Sequence, residues 1–114
     1  MRWLWSVVLI SGPSMVPTLR AGDAVIVRHG GRVRPGQVVV ARFRDMPDLL
    51  VVKRAVRPEA GGWYVSSDNP FVVGDSAVHG AADVVGRVVL RYWPRPRWPL
   101  AAGPQDRPVE DSER

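Results

Sequence analysis

One lysine and one serine are the residues best suited to chemistry in this chain. Of its sixteen Lys and Arg side chains, only Lys53 is a lysine. As solvated charges the two types are nearly interchangeable, but as proton acceptors they are not. A guanidinium stays protonated, whereas an ammonium can lose its proton when desolvated. Lys53 lies in Leu49-Leu50-Val51-Val52-Lys53-Arg54-Ala55-Val56. Strand alternation places Leu49, Val51, Lys53 and Ala55 on one face, apolar apart from the amine, with Arg54 on the other. At its reference pKa of about 10.4 a lysine is almost wholly protonated at neutral pH. Burial lowers that value, each unit corresponding to about 1.4 kcal/mol. The bland reading is a lysine that snorkels from a strand edge; the functional one is a buried general base.

Ser14 sits in Ser11-Gly12-Pro13-Ser14-Met15-Val16-Pro17-Thr18-Leu19. Gly12 and Pro13 interrupt the apolar run before them, and Pro17 limits any helix reaching back to Ser14. The hydroxyl is therefore expected at a sharp exit from a strand, anchored by Ile10, Met15 and Leu19. A nucleophile needs a rigid turn of this kind with backbone N–H groups nearby. The Ser14 N–H is a candidate oxyanion donor; Pro13 has none, so a second donor must come from elsewhere.

Other chemistries are excluded or unsupported. There are no cysteines, which removes thiol catalysis, disulfides and thiolate metal sites. The two histidines, His29 and His79, are far apart in sequence, so a His-rich metal site is not expected. The net charge of +5 favours anionic partners such as nucleic acid or a membrane surface. A basic β-barrel binding nucleic acid is the rival of another class, but the exposed aromatic clustering of single-strand binders is lacking. No stretch reaches the roughly twenty apolar residues of a membrane span. The apolar run from Trp3 to Ile10 reads as a buried strand, with Arg2, Trp3 and Trp5 as candidates for a membrane interface.

The elements that must position Ser14 and Lys53 read as strands divided by Gly/Pro turns. Strands are expected at Leu4–Ser11, Ala24–Arg28, Gln37–Arg44, Leu49–Val56, Trp63–Ser66 and Val84–Trp93. Arg34-Pro35-Gly36 and Met46-Pro47-Asp48 are turns. Only Met15–Leu19 is expected to form a helical turn, which makes the fold class all-β. The domain should span 1–93. The Pro-rich 94–114 segment should be a largely disordered tail, with Trp98 and Leu100 able to dock back on the domain.

Four segments taken together resemble the signal peptidase I family. Ser14-Met15-Val16-Pro17-Thr18-Leu19 is similar to its nucleophile box, S-M-x-P-T-L, and Val52-Lys53-Arg54-Ala55-Val56 to the box of its general-base lysine. Ser67-Asp68-Asn69-Pro70 resembles its G-D-N stretch. Asp75-Ser76, Gly80 and Gly86-Arg87 follow its closing D-S-R…G…G-R pattern. The resemblance covers about residues 9 to 90. It implies a signal peptidase/LexA-like core of short antiparallel strands and a serine endopeptidase with a Ser14/Lys53 dyad. Met15, Pro17, Asp75 and Ser76 would support the site, and no metal or cofactor would be needed. The chain departs from the family in lacking an N-terminal span. Val73 also stands where several members have a lysine-positioning Ser, and Ala77 where an Arg normally pairs with the Asp. Its compactness and residue context most resemble the nickel-type superoxide dismutase maturation proteases. That implies a precursor-protein substrate, the nickel superoxide dismutase precursor, and a cytoplasmic location. The alternative is a signal peptidase-like enzyme at the periphery of a membrane, acting on exported preproteins.

Overall fold

The computed structural model describes residues 4–72 and 74–94. Its elements are six strands and one short helix: β1 (Trp5–Leu9), β2 (Ala24–His29), β3 (Val38–Phe43), β4 (Val51–Glu59), β5 (Gly62–Ser66), α1 (Ser76–His79) and β6 (Ala82–Trp93). The fold is all-β, as the strand and turn pattern requires, and every strand pairing is antiparallel. The expected tail lies outside the described residues apart from Pro94.

The sheet order is β1-β2-β6-β3-β4-β5, and an additional β5–β6 pairing curls β3, β4, β5 and β6 into a closed unit. That closure needs Gly62. A Cβ there would sit 2.3 Å from the Ala82 carbonyl oxygen, closer than any side chain can come. β6 is long enough to serve both parts, pairing with β2 through its later residues and with β3 through its earlier ones.

β3 is apolar on both faces because both are covered, as in any strand buried between two layers. Val38 and Val40 join Ile10, Met15, Leu19, Val25, Val27 and Val88 in one core. Val39, Ala41 and Phe43 join Ala55, Val65 and Ala82 in the other. These two clusters hold the β3–β4 ladder rigid from both sides, and Lys53 is carried on that ladder.

Three expectations need correction. The first strand is not buried: Trp5, Val7 and Leu9 are about half exposed or more, and among the described residues β1 pairs only with β2. An apolar run shows that a strand forms, not that both its faces are covered. β4 starts at Val51 rather than Leu49, which leaves Leu49 and Leu50 exposed ahead of it. Finally, α1 was not expected. It is only four residues long, too short to show a helical period. The Met15–Leu19 turn does form, closed by Leu19 N–H donating to the Met15 carbonyl at 2.9 Å.

Candidate active site

β1 runs into Ile10, which continues the ladder through Ile10 N–H to the Asp23 carbonyl at 2.8 Å. The chain then reverses. Val16 N–H donates to the Pro13 carbonyl at 3.1 Å, and Met15 and Leu19 bury completely in the first core. Two buried side chains and two turn bonds thus fix the loop that presents Ser14. Pro17, expected to support the site, is exposed on the outside of this turn.

A second segment braces the loop from the far side. Asn69 N–H donates to the Ser14 carbonyl at 2.9 Å, and Asn69 Nδ2 donates to the Pro13 carbonyl at 3.0 Å. Thr18 Oγ1 donates to Asp68 Oδ2 at 2.5 Å. Asp68 is in turn held by Arg54, whose Nη2 reaches Oδ2 at 2.5 Å and whose Nη1 reaches the Gly36 carbonyl at 2.8 Å. Both members of this ion pair are buried, at 6% and 3% side-chain exposure. Arg54 follows Lys53 directly, so one stretch of β4 carries the amine and anchors the brace on the Ser14 loop.

Lys53 is buried at 4% exposure. Desolvation pushes its pKa below the ordinary lysine value, and the Asp75 carboxylate opposes that shift more weakly. Its Nζ donates to Ser67 Oγ at 2.9 Å. Ser14 makes no hydrogen bond with it among the described residues, although the sequence pairs them. Both nevertheless line the same cavity of about 240 Å3, together with Leu9, Ile10, Met15, Leu50 and Val52. The amine and the hydroxyl thus share a small, mostly apolar cleft, with Ser67 positioning the amine.

Asp75 and Ser76 do not line the cleft. Asp75 Oδ1 caps α1 by accepting from Ala77 N–H at 3.0 Å, and buried Ser76 Oγ accepts from Val65 N–H at 2.8 Å. This docks α1 on β5 and sets the carboxylate near Lys53. Sequence reasoning missed Ser67 as the partner of Lys53 and sought that hydroxyl at the place of Val73. It also missed Arg54–Asp68 as a buried pair, because alternation assigned Arg54 a face without saying what covers it. The available signal was the polar run Ser66-Ser67-Asp68-Asn69 directly after an apolar strand.

Among the described residues, no group of three His, Asp or Glu side chains could hold a metal ion. No helix among them is long and apolar enough to cross a membrane.

The Peptidase S24-like family model matches residues 6–89, a span containing every site residue named above. The chain is 29% identical over 139 aligned positions to the mitochondrial inner membrane protease subunit 1 of Xenopus tropicalis, covering 97% of this chain and 83% of that protein. It is 27% identical to the mitochondrial ATP-independent inner membrane protease subunit 1a of Arabidopsis thaliana, covering 82% of this chain and 73% of that protein.

Proposed function

This chain belongs to the Peptidase S24-like family, and we propose that it is a serine endopeptidase with Ser14 as nucleophile and Lys53 as general base. The observation that carries this reading is the placement of the only lysine, desolvated, in the same apolar cleft as Ser14. Ser14 Oγ attacks the scissile carbonyl and its proton passes to neutral Lys53 Nζ. The Ser14 N–H donates to the developing oxyanion. Lys53 then gives that proton to the leaving amine, and the acyl group stays on Ser14. In the second half a water loses its proton to Lys53, attacks the ester and restores Ser14. Ser67 keeps the amine in place throughout.

The strand pairing supports an extended substrate. Among the described residues β1 has a partner on one side only, and Val51–Lys53 pair with β3 but not with β5, whose register begins at Arg54. A peptide added along these open edges would run past both Ser14 and Lys53. Leu9, Leu50 and Val52 line the cleft it would occupy, which favours small or apolar side chains.

For the substrate itself, the residue resemblance supports removal of the leader from a nickel superoxide dismutase precursor in the cytoplasm. A second reading, cleavage of exported preproteins at a membrane surface, is favoured by the exposed apolar residues Trp5, Val7, Leu9 and Trp93. It is favoured too by the inner-membrane relatives. The deciding experiment incubates purified protein, and its Ser14→Ala variant, with each precursor, with and without vesicles, and reads new N-termini by mass spectrometry. Ser14-dependent trimming of the dismutase precursor without vesicles supports the first reading. Trimming of only the exported precursor, with vesicles, supports the second. No Ser14-dependent product from either would defeat the peptidase assignment.

A further inference from the structure

Away from the cleft, the strand ladder sets two arginines side by side. Arg28 of β2 and Arg87 of β6 are register partners, so their side chains leave the same face of the sheet. Like charges directly opposite one another repel and weaken a sheet. The described carboxylates that form ion pairs with arginine go elsewhere: Asp83 to Arg44, Asp68 to Arg54, Glu59 to Arg57 and Asp23 to Arg91. The Nε atoms of both Arg28 and Arg87 are buried with no hydrogen-bond partner. An unsatisfied buried donor is costly and calls for an explanation.

Both guanidinium groups are nonetheless held. Arg28 lies over the Trp5 ring, 5.4 Å from its centroid. Arg87 packs on Gly31, where an added Cβ would come within 3.4 Å of its Nη2 and where φ is +82°. A concavity lined by Arg28, Gly31 and the apolar Leu4, Trp5 and Val85, among others, opens at the end of β1 and β2. Arg87 is not part of its lining and borders it through Gly31. Two neighbouring guanidinium groups with no ion-paired carboxylate among the described residues are complementary in charge to an oxyanion with several acceptor atoms, which would meet their Nη edges because both Nε atoms are enclosed. Arginine forks match carboxylate and phosphate oxygens, and phosphate offers enough acceptor atoms to meet two guanidinium groups at once.

We propose that Arg28 and Arg87 form a binding site for a phosphate group, either as the free ion or on the headgroup of an anionic phospholipid. The site is separate from the Ser14/Lys53 cleft and does not depend on the peptidase reading. It also gives a role to the Gly86-Arg87 motif, which the proposed mechanism leaves unused.

The test uses the full chain at constant ionic strength. Inorganic phosphate binding is measured by calorimetry and thermal shift. Flotation is measured with vesicles of phosphatidylcholine alone and of phosphatidylcholine with phosphatidylglycerol. Each is repeated for Arg28→Gln, Arg87→Gln and, as control, Arg57→Gln. Loss of a charged hydrogen-bonding partner is worth about 1.5–3 kcal/mol, at least about tenfold in affinity. Saturable phosphate binding, lost in both site variants and kept in the control, supports a site for the free ion. Phosphatidylglycerol-dependent flotation with the same variant pattern, but without phosphate binding, supports a headgroup site. A wild type that binds neither, or variants and control that weaken equally, overturns the proposal. If a site variant folds poorly, it will show as a lower melting temperature without phosphate. Relief of like-charge repulsion predicts the opposite, an unchanged or higher one.

Discussion

Lys53 Nζ lies 2.9 Å from Ser67 Oγ, so the buried amine is oriented by a hydroxyl from the segment that leaves β5. The same segment supplies Asn69, which bonds the Ser14 carbonyl. One short stretch therefore aligns both proposed catalytic groups. Ser67→Ala should leave Lys53 in its pocket with one restraint fewer. A hydrogen bond to a charged or titrating group contributes about 1.5–3 kcal/mol, so kcat should fall roughly ten- to hundredfold. KM should change little, because Ser67 does not line the cleft. Steady-state kinetics on a cleaved peptide checks this. An unchanged kcat would show that Ser67 has no part in catalysis.

The Asp75 carboxylate favours the protonated form of Lys53, against the larger effect of burial. A general base must be neutral, so activity should rise with pH through the depressed Lys53 pKa. Asp75→Asn removes the opposing charge, lowers that pKa further and moves the rising limb to lower pH. Asn is as good a helix cap as Asp, so α1 should survive the change. The measurement is kcat/KM against pH for both proteins. A limb moving to higher pH would contradict the assignment of Lys53 as base.

Most of this fold was legible because apolar runs and Gly/Pro turns are local signals. β3 was readable from its continuous apolar residues, and β2 and β5 lay within a residue or so of their expected bounds. Strand period also put Lys53 on one face and Arg54 on the other. It could not show what lies opposite. The Thr18–Asp68 bond spans fifty residues and the Lys53–Ser67 bond fourteen. Such partners are set by strand order, which no local pattern encodes. The exposure of β1 was hidden for the same reason, since an edge strand and a central one can share a composition.

The Arg54–Asp68 pair should matter for stability more than its surface counterparts. Removing one member of a buried pair typically costs about 3–5 kcal/mol, because the other charge loses its counterion in a dry site. Asp68→Ala should therefore lower the urea midpoint sharply, whereas Asp83→Ala, at the exposed Arg44 pair, should change it little. Thr18 also loses its acceptor in Asp68→Ala, so the Ser14 loop should loosen and cleavage should fall with stability. Equal urea midpoints for the two variants would show that the buried pair contributes no more than the surface one.

The final prediction concerns the choice of lysine at position 53. Burial depresses its pKa in the folded state, while in the unfolded chain the value returns to about 10.4. Between those two values the unfolded state binds more protons, so stability should rise with pH across that window and level off above it. Below the folded-state pKa the buried charge carries its full penalty. Lys53→Met removes the titration, so its stability advantage over wild type should be largest on the acid side and shrink as pH approaches about 10. Lys53→Arg behaves oppositely. Its guanidinium cannot shed its proton and stays charged in the apolar pocket at every accessible pH. It should therefore be the least stable of the three at alkaline pH, and its cleavage should be lost as fully as in Ser14→Ala. Urea midpoints from mildly acidic to alkaline pH, read beside cleavage at the same pH values, separate the roles. Near-native cleavage by Lys53→Arg would mean that a fixed positive charge suffices there and that the base lies elsewhere.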